Sequence, residues 1–234
     1  MSLEQLQTAL KESGVCREGH FVGVSGKHLN LFIDFEGMFR PENEEYLDIV
    51  IDGFVELLDE NGSLQPTYIT GPANGGNLLC ERLAPLLCER LGYTVKVALT
   101  EKMRDAKDFM FKDRLDLTGQ TVLVIDDVST SGLSTVNTAN RVRAFGGEVL
   151  GIVVAVDREG LTSQKLGVPL YRYLIALKTE SRDVPNGRPC KWCLERQDFT
   201  LGVNSHTDEF VEKYGQPSTW SEERMDAMRS GHFA

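Results

Sequence analysis

The sequence predicts an α/β fold, a doubly wound parallel sheet preceded by a small N-terminal flap or hood. Between residues 42 and 177, short apolar runs rich in β-branched residues alternate with segments whose apolar residues recur at helical spacing. Glycine-rich or hydroxyl-rich turns follow several of these runs. Alternating strands and helices predict a parallel sheet, and such sheets bind ligands where the carboxyl ends of the strands meet the loops.

The N-terminal part does not follow this alternation. Residues 3–13 carry leucines on one face and predict a short amphipathic helix. Residues 19–39 alternate apolar and polar positions around a Ser-Gly turn, which predicts a hairpin or two short strands. We therefore expect a flap or hood over residues 1–40, a core over 41–180 and a C-terminal extension over 181–234.

The predicted core opens with a helix over residues 42–60. Strands are expected at 67–70, 94–99, 121–125, 148–156 and 170–177. Helices are expected at 77–91, where Pro85 predicts a kink or a boundary, and after residue 134. Residues 101–116 are charged, aperiodic and rich in Lys and Arg, which predicts a mobile loop.

Composition excludes several classes of function. The 234 residues are 41% hydrophobic and 26% charged, as in an ordinary globular protein with a full core. A formal net charge of −10 argues against nucleic acid as a partner, because phosphate backbones bind clustered Lys and Arg. The sequence has no apolar run that could span a membrane and no signal-peptide core, and its five cysteines lack a disulfide framework. We therefore expect a cytoplasmic protein without a membrane partner.

The stretch QTVLVIDDVSTSGLST at residues 120–135 carries the clearest functional signal. A buried strand is followed by Asp126 and Asp127, then by a loop of small hydroxylated residues, then by a helix. Backbone N–H groups of such a loop, together with a helix N-terminus, form a cradle for phosphate. The two carboxylates would repel phosphate, so they are expected to hold ribose hydroxyls or the water shell of Mg²⁺. An ordinary polar helix cap would not explain the whole string.

Other phosphate-binding motifs are absent from the sequence. It contains neither the G-x-G-x-x-G string of dinucleotide-binding folds nor the G-x-x-x-x-G-K-[ST] string of P-loops. Paired acidic residues at a strand end also fit a phosphatase or a phospho-acceptor domain. That interpretation leaves the hydroxyl-rich loop unexplained.

The 120–135 string resembles the motif with which type I phosphoribosyltransferases bind 5-phosphoribosyl 1-diphosphate (PRPP). Over residues 10–175 the chain is similar to the orotate phosphoribosyltransferase branch. GHFVGVSGKHLNLFIDFEGMF resembles the N-terminal segment of that branch, GPANGG its pyrophosphate loop and TEKMRDAK its basic flexible loop. Asp157-Arg158 stands where the branch has an Asp-Arg pair whose arginine faces the base.

The resemblance implies transfer of the 5-phosphoribosyl group of PRPP to a nucleobase, orotate-like or another heterocycle, with release of pyrophosphate. It implies catalytic roles for Asp126, Asp127 and Lys102, a flexible-loop role for Lys102 and Lys107, and base binding by Arg158. The implied PRPP loop consists of Val128, Ser129, Thr130, Ser131, Gly132, Leu133 and Ser134. The implied pyrophosphate loop consists of Thr70, Gly71, Pro72, Ala73, Asn74, Gly75 and Gly76. Mg²⁺ is expected near Asp126 and Asp127 through PRPP and water, in a homodimer with shared active sites.

Four positions depart from the family pattern. Val24, Gly75 and Glu101 stand where the orotate branch usually carries cations, and Ser129 replaces a usual aliphatic residue. The acceptor base is therefore left open. The missing cations also motivate an alternative, a non-catalytic module on the same fold that senses PRPP or a nucleotide.

The pair Cys190 and Cys193 is the remaining motif. One C-x-x-C can supply two of the four ligands of a zinc site, and only His206 lies near it in sequence as a further candidate ligand. Ordinary cysteines and a redox pair are the other two interpretations.

Overall fold

The chain divides into two units in this computed structural model. One unit is Met1–Ser13 with Phe35–Lys178, and the other is Gly14–Asp34 with Thr179–Ala234. The structure describes residues 2–22, 28–60, 64–92, 94–103, 109–178, 181–182, 200–201 and 223.

The elements in chain order are α1 (Leu3–Glu12), β1 (Cys16–Val22), β2 (His28–Ile33), α2 (Glu44–Glu60), β3 (Tyr68–Thr70), α3 (Gly75–Leu91), β4 (Lys96–Ala98), β5 (Thr100–Lys102), β6 (Phe109–Phe111), β7 (Thr121–Ser129), α4 (Leu133–Ala144), β8 (Glu148–Asp157), α5 (Ser163–Leu166), β9 (Tyr171–Ala176), β10 (Ser181–Arg182) and β11 (Thr200–Leu201).

A parallel sheet forms the centre of the first unit. Its five strands lie in the order β4-β3-β7-β8-β9, and every neighbouring pair is parallel. The side chains of Val122, Leu123, Val124 and Ile125 are all 0% exposed, because elements cover both faces of β7. α3 and α4 pack against β7, while α1 packs against α2 and β9. The predicted α/β class is confirmed.

Strand β7 is longer than the sequence predicts. The apolar run ends at Ile125, but the strand continues through the acidic pair to Ser129. Strand β8 continues equally far and pairs Asp157 with Ser129, so the backbone hydrogen bonds of β7 remain satisfied after its side chains turn polar. The expectation that Asp126 and Asp127 follow the strand is wrong, since they lie within it.

The segment 101–116, for which the sequence predicts a mobile loop, contains regular structure. Residues 100–102 and 109–111 form the antiparallel hairpin β5–β6, in which Thr100 pairs with Phe111 and Lys102 with Phe109. The side chains of Thr100 and Phe111 are buried, which explains why the base of the segment has a fixed structure. Residues 104–108, including Lys107, lie outside the described residues.

The second unit contains a sheet in the order β10-β2-β1-β11. Strands β1 and β2 are antiparallel and confirm the predicted hairpin. The imidazoles of His20 and His28 are buried in this unit, with His20 Nε2 2.8 Å from His28 Nδ1. The division of the chain at residues 40 and 180 stays a prediction from the sequence. Within the described part of the chain, no helix combines the length and the apolar character needed to cross a membrane.

Candidate active site

The glycine-rich loop at 71–76 lies directly on strand β7. A side chain at Gly71 would collide with the carbonyl oxygen of Ile125, and one at Gly76 would lie 2.9 Å from the same oxygen. Asn74 has φ +76°, the one positive value at a non-glycine residue in the described chain. Strained backbone of this kind is typical of binding loops that surrounding structure holds in place. The loop leads into the first turn of α3, so its N–H groups and the positive end of the helix dipole lie together, an arrangement that suits an anion.

Thr100 and Asn77 fix the same loop from its other side. Thr100 Oγ1 donates to the carbonyl of Gly71 at 2.7 Å. The Asn77 amide donates to the carbonyl of Thr100 at 2.7 Å and accepts from the Thr100 N–H at 3.0 Å. Both residues are buried. Because Thr100 begins β5, these bonds tie the hairpin that carries Lys102 to the glycine-rich loop.

Asp126 and Asp127 lie side by side near the end of β7. Asp126 is buried and Asp127 is half-buried. Asp126 Oδ1 accepts a hydrogen bond from the Asp127 N–H at 3.0 Å. Asp127 Oδ1 accepts one from the Val128 N–H at 2.6 Å. Burial raises the pKa of Asp126 well above its usual value, and the charge of Asp127 raises it further. Burial also raises the pKa of Asp127, although the hydrogen bond from the Val128 N–H lowers this pKa in part. Among the described residues no cation pairs with either carboxylate.

The loop at 130–134 presents exposed hydroxyls at the start of a helix. Thr130, Ser131 and Ser134 are exposed, and α4 begins at Leu133. Gly132 caps the helix with φ +74°, and a side chain there would collide with Leu166. Only glycine adopts this conformation without strain in such a tight contact. The loop therefore offers hydroxyls, N–H groups and a helix N-terminus to an anion.

A turn after β8 is hydrogen-bonded to the end of β7, next to the loop at 130–134. Asp157 is fully buried and accepts from the N–H groups of Glu159, Gly160 and Leu161 at 2.9–3.0 Å. The N–H of Arg158 donates to the carbonyl of Ser129 at 3.0 Å. Near this turn, burial raises the pKa of Tyr171, and the charge of Asp157 raises it further. Ser129 Oγ and Tyr171 Oη are both buried without a hydrogen-bond partner.

The structure brings three predicted segments to one edge of the sheet. The loop 71–76 follows β3, the loop 130–134 follows β7 and Arg158 follows β8, and these three strands are neighbours. Lys102 ends β5, but its side chain lies outside the described part, as do Val24, Cys190 and Cys193. Thr100, Asn77 and the carboxylate of Asp157 were missed by sequence reasoning. A Thr or an Asn near the start of a strand or helix, and an Asp before a turn, are common in proteins of every kind, so these residues give no specific signal in the sequence.

The matching family model agrees with this arrangement. A model described as "Phosphoribosyl transferase domain" matches residues 42–170, which is more than half of the 234-residue chain. The chain belongs to the phosphoribosyl transferase domain family. The match contains all three loops of the site, and the resemblance found in the sequence is confirmed.

Curated proteins similar to this chain are named as orotate phosphoribosyltransferases. It is 29% identical over 193 residues to the orotate phosphoribosyltransferase of Desulforamulus reducens, covering 82% of this chain and 92% of that protein. It is 31% identical over 159 residues to the orotate phosphoribosyltransferase of Pyrobaculum calidifontis, covering 68% and 77%. The crystal structure of orotate phosphoribosyltransferase from Aeropyrum pernix has a TM-score of 0.59 at 23% identity, covers 74% of this chain and 93% of that chain, and supports the shared fold.

Replacing Asp126 with asparagine is expected to stabilise the protein at neutral pH. The raised pKa means that the folded protein binds this proton more tightly than the unfolded chain. The carboxyl therefore stabilises the fold most below the unfolded pKa of about 3.9, and this contribution is lost as the pH rises through the folded pKa. Asp126→Asn removes the buried charge and keeps the shape. We expect a gain of about 1 kcal/mol, or about 2–4 °C in Tm, that vanishes at about pH 4.

Asp157→Asn is the matched comparison and should have the opposite effect. An amide NH₂ would face at least one of the three N–H groups that now donate to the carboxylate. We expect a loss of about 1–3 kcal/mol. Thermal and urea unfolding of both variants across pH measures the two effects. An Asp126→Asn protein that is less stable than the natural one at neutral pH would contradict the conclusion that burial and the charge of Asp127 make an ionised Asp126 unfavourable.

Proposed function

We propose that the protein is a Mg²⁺-dependent phosphoribosyltransferase that transfers the 5-phosphoribosyl group of PRPP to a nucleobase, orotate-like or another heterocycle. The proposal rests on two helix N-termini that follow two adjacent parallel strands, because a helix N-terminus can bind an anion. α3 begins after β3, and α4 begins after β7. PRPP carries a phosphate at one end of a ribose and a diphosphate at the other, so it matches two anion sites on one sheet edge.

The order of the loops supports the assignment of each end of PRPP. The loop 130–134 has exposed hydroxyls and suits the single 5-phosphate. The loop 71–76 has no side-chain hydroxyl and presents backbone at two consecutive glycines, which suits the diphosphate. Asp127 and Asp126 are adjacent to both loops, because Asp127 approaches Gly75 and residues 130–134 follow β7 directly. Carboxylates at this position can accept hydrogen bonds from ribose hydroxyls.

The residues present fit Mg²⁺. Two carboxylates supply the hard oxygen atoms that Mg²⁺ prefers, and no described cation balances their charge. Asp126 and Asp127 would hold the ion through its water shell and through PRPP. When bound, Mg²⁺ supplies positive charge to the departing pyrophosphate.

The reaction breaks one bond and makes another at C1 of the ribose. The bond from C1 to the diphosphate oxygen breaks, and its electron pair leaves with pyrophosphate. A base nitrogen forms the new bond to C1, and the proton of that nitrogen passes to solvent. The loop N–H groups hold both phosphate ends, the carboxylates orient the ribose, and Lys102 and Lys107 are proposed to close over the site. Arg158 follows β8 next to the phosphate loop and is proposed to face the base.

The sensing alternative is not favoured. Curated relatives that align over most of their length are named as orotate phosphoribosyltransferases. The acidic pair, both phosphate loops and Arg158 are all retained in this chain.

Pyrophosphate release tests the proposed function. The protein is incubated with PRPP, Mg²⁺ and a panel of pyrimidine and purine bases, with orotate included. We expect pyrophosphate and a nucleoside monophosphate in equal amounts with at least one base. Asp126→Asn and Asp127→Asn should each lower kcat/KM by about 10- to 100-fold, which corresponds to one charge-assisted hydrogen bond. Tight PRPP binding without turnover on any base would favour the sensing alternative instead.

We further propose a homodimer in which Lys102 of one chain serves PRPP bound to the other. The segment 101–116 contains five Lys or Arg residues beside five Asp or Glu residues, and its cations can serve a polyanion such as PRPP. Two-fold dimers are also the commonest soluble assembly.

Subunit mixing tests this proposal. A Lys102→Ala chain and an Asp126→Ala/Asp127→Ala chain are each expected to be inactive alone. After subunit exchange, each mixed dimer should regain one working site, so about one quarter of natural activity is expected at equal mixing. A mixture that stays inactive although both variants fold, dimerise and exchange would refute the shared site. Sedimentation as a monomer would refute the dimer itself.

A zinc ion at Cys190 and Cys193 and a cytoplasmic location also remain proposals. Among the described cysteines, Cys80 and Cys88 are in the thiol form, which supports a reducing compartment.

A further inference from the structure

Two buried histidines meet in the sheet of the second unit. His20 lies on β1 and is 3% exposed, and His28 lies on β2 and is 0% exposed. His20 Nε2 is 2.8 Å from His28 Nδ1, and the ring centroids are 5.0 Å apart. A bulge in β1 lies at this contact, where Gly19 and His20 together stand opposite Asn30. Bulges re-aim side chains and are common next to functional sites.

The strands on either side of this hairpin come from the C-terminal extension. β10 pairs with β2 and places Arg182 opposite His28. β11 pairs with β1 and places Thr200 opposite Phe21. The connection 183–199 therefore begins next to one histidine and ends next to the residue that follows the other.

This connection carries the C-x-x-C pair near its middle. β10 and β11 form the two edges of the four-stranded sheet, so three strand spacings, about 14 Å, separate them. A fully extended chain from 183 to 199 would reach about 55–60 Å, which leaves ample length to approach the hairpin. Cys190 is 8 positions after Arg182 (190 − 182), and Cys193 is 7 positions before Thr200 (200 − 193). Both cysteines lie outside the described residues, in the same unit as the two histidines.

Two imidazoles and two thiolates are a usual set of ligands for zinc. Structural Zn²⁺ sites are closed and tetrahedral, and Cys₂His₂ is one of their common compositions. Two ring nitrogens on one such ion lie about 3.3 Å apart, since each Zn–N bond is about 2.0–2.1 Å. The 2.8 Å between His20 Nε2 and His28 Nδ1 is about 0.5 Å shorter, so a small tilt of the rings admits the ion. A hydrogen bond between neutral imidazoles also accounts for this distance. The C-x-x-C pair beside both histidines favours the metal.

We propose that the histidine pair and the C-x-x-C pair bind one structural Zn²⁺, which joins the C-terminal extension to the hairpin β1–β2. The four ligands are His20, His28, Cys190 and Cys193. The inference completes the zinc proposal for the two cysteines, and it replaces His206, the nearest histidine in sequence, by two histidines that the fold brings together. Four protein ligands leave no open position for a substrate, so the ion has a structural role.

Metal analysis of the full-length chain tests this site without any turnover. The protein is purified under reducing conditions without a polyhistidine tag, equilibrated with Zn²⁺ and dialysed. We expect about one zinc ion per chain by inductively coupled plasma mass spectrometry. With Co²⁺ as the probe, we expect the visible absorption of a tetrahedral ion and a near-ultraviolet band from thiolate-to-cobalt charge transfer.

Single substitutions identify the ligands. The variants are His20→Ala, His28→Ala, Cys190→Ser and Cys193→Ser. Each should weaken zinc binding by at least about 100-fold in competition with a chelator, because contacts outside the ligand shell alone contribute about 10- to 100-fold. His20→Cys supplies a different ligand at the same position and should retain zinc. Its thiolate-to-cobalt band should grow, since the number of thiolates rises from two to three.

His206→Ala and Cys88→Ser are the matched controls. His206 is the histidine nearest to the C-x-x-C in sequence. Cys88 lies in the first unit, where its Sγ accepts from the Val95 N–H at 3.1 Å. Both variants should bind zinc as the natural protein does. Zinc should raise the Tm of the natural protein and of both controls, but not that of the four ligand variants.

The outcomes decide the inference in either direction. Natural protein that binds no zinc and gives no tetrahedral Co²⁺ spectrum overturns it, as does a disulfide between Cys190 and Cys193 under reducing conditions. Zinc that is lost in His206→Ala but retained in folded His20→Ala and His28→Ala also overturns it. An unchanged charge-transfer band in Co²⁺-loaded His20→Cys excludes position 20 as a ligand and overturns it too. The proposed transferase activity is independent of these results, because its residues lie in the first unit and pyrophosphate release tests it separately.

Discussion

The site depends on the contact between the acidic end of strand β7 and the glycine-rich loop. Two like-charged carboxylates lie side by side in the sheet, and no described cation offsets them. Ionisation of the buried Asp126 beside Asp127 is unfavourable, and it costs the fold about 1 kcal/mol at neutral pH. The apolar part of β7 outweighs this cost, because Val122, Leu123, Val124 and Ile125 are 0% exposed and each such burial contributes about 1.5–3 kcal/mol. The strand thus holds an unfavourable charge pair in the place where a ligand can use it.

The same strand fixes the spacing of the other functional groups. Its Ile125 carbonyl supports the loop 71–76, and its Ser129 carbonyl accepts from Arg158 after β8. The hairpin with Lys102 joins the frame through Thr100 and Gly71. A substrate with two phosphate ends needs a fixed distance between its two anion sites, and rigid strands supply it better than loops alone.

Sequence patterns predicted the frame and the two loops because each leaves a local mark. Apolar β-branched runs marked the strands, and the string from Asp126 to Ser134 marked the loop that is proposed to bind phosphate. Contacts between distant segments leave no such mark. The extension of β7 to Ser129 depends on pairing with β8. The hairpin β5–β6 depends on the burial of Thr100. The contact between Gly75 and Asp127 joins residues that are 52 positions apart (127 − 75). The absence of a cation at Gly75 was visible in the sequence, but the carboxylate that fills its place was not.

A crystal structure of the protein with Mg²⁺ and PRPP tests the central claim most directly. The account predicts the 5-phosphate on the N–H groups of residues 130–134 and the diphosphate on the loop 71–76. It also predicts a metal ion between the diphosphate and Asp127, whose carboxylate remains against Gly75. A diphosphate seated on the loop without a metal ion, or PRPP bound away from this edge of the sheet, would contradict it.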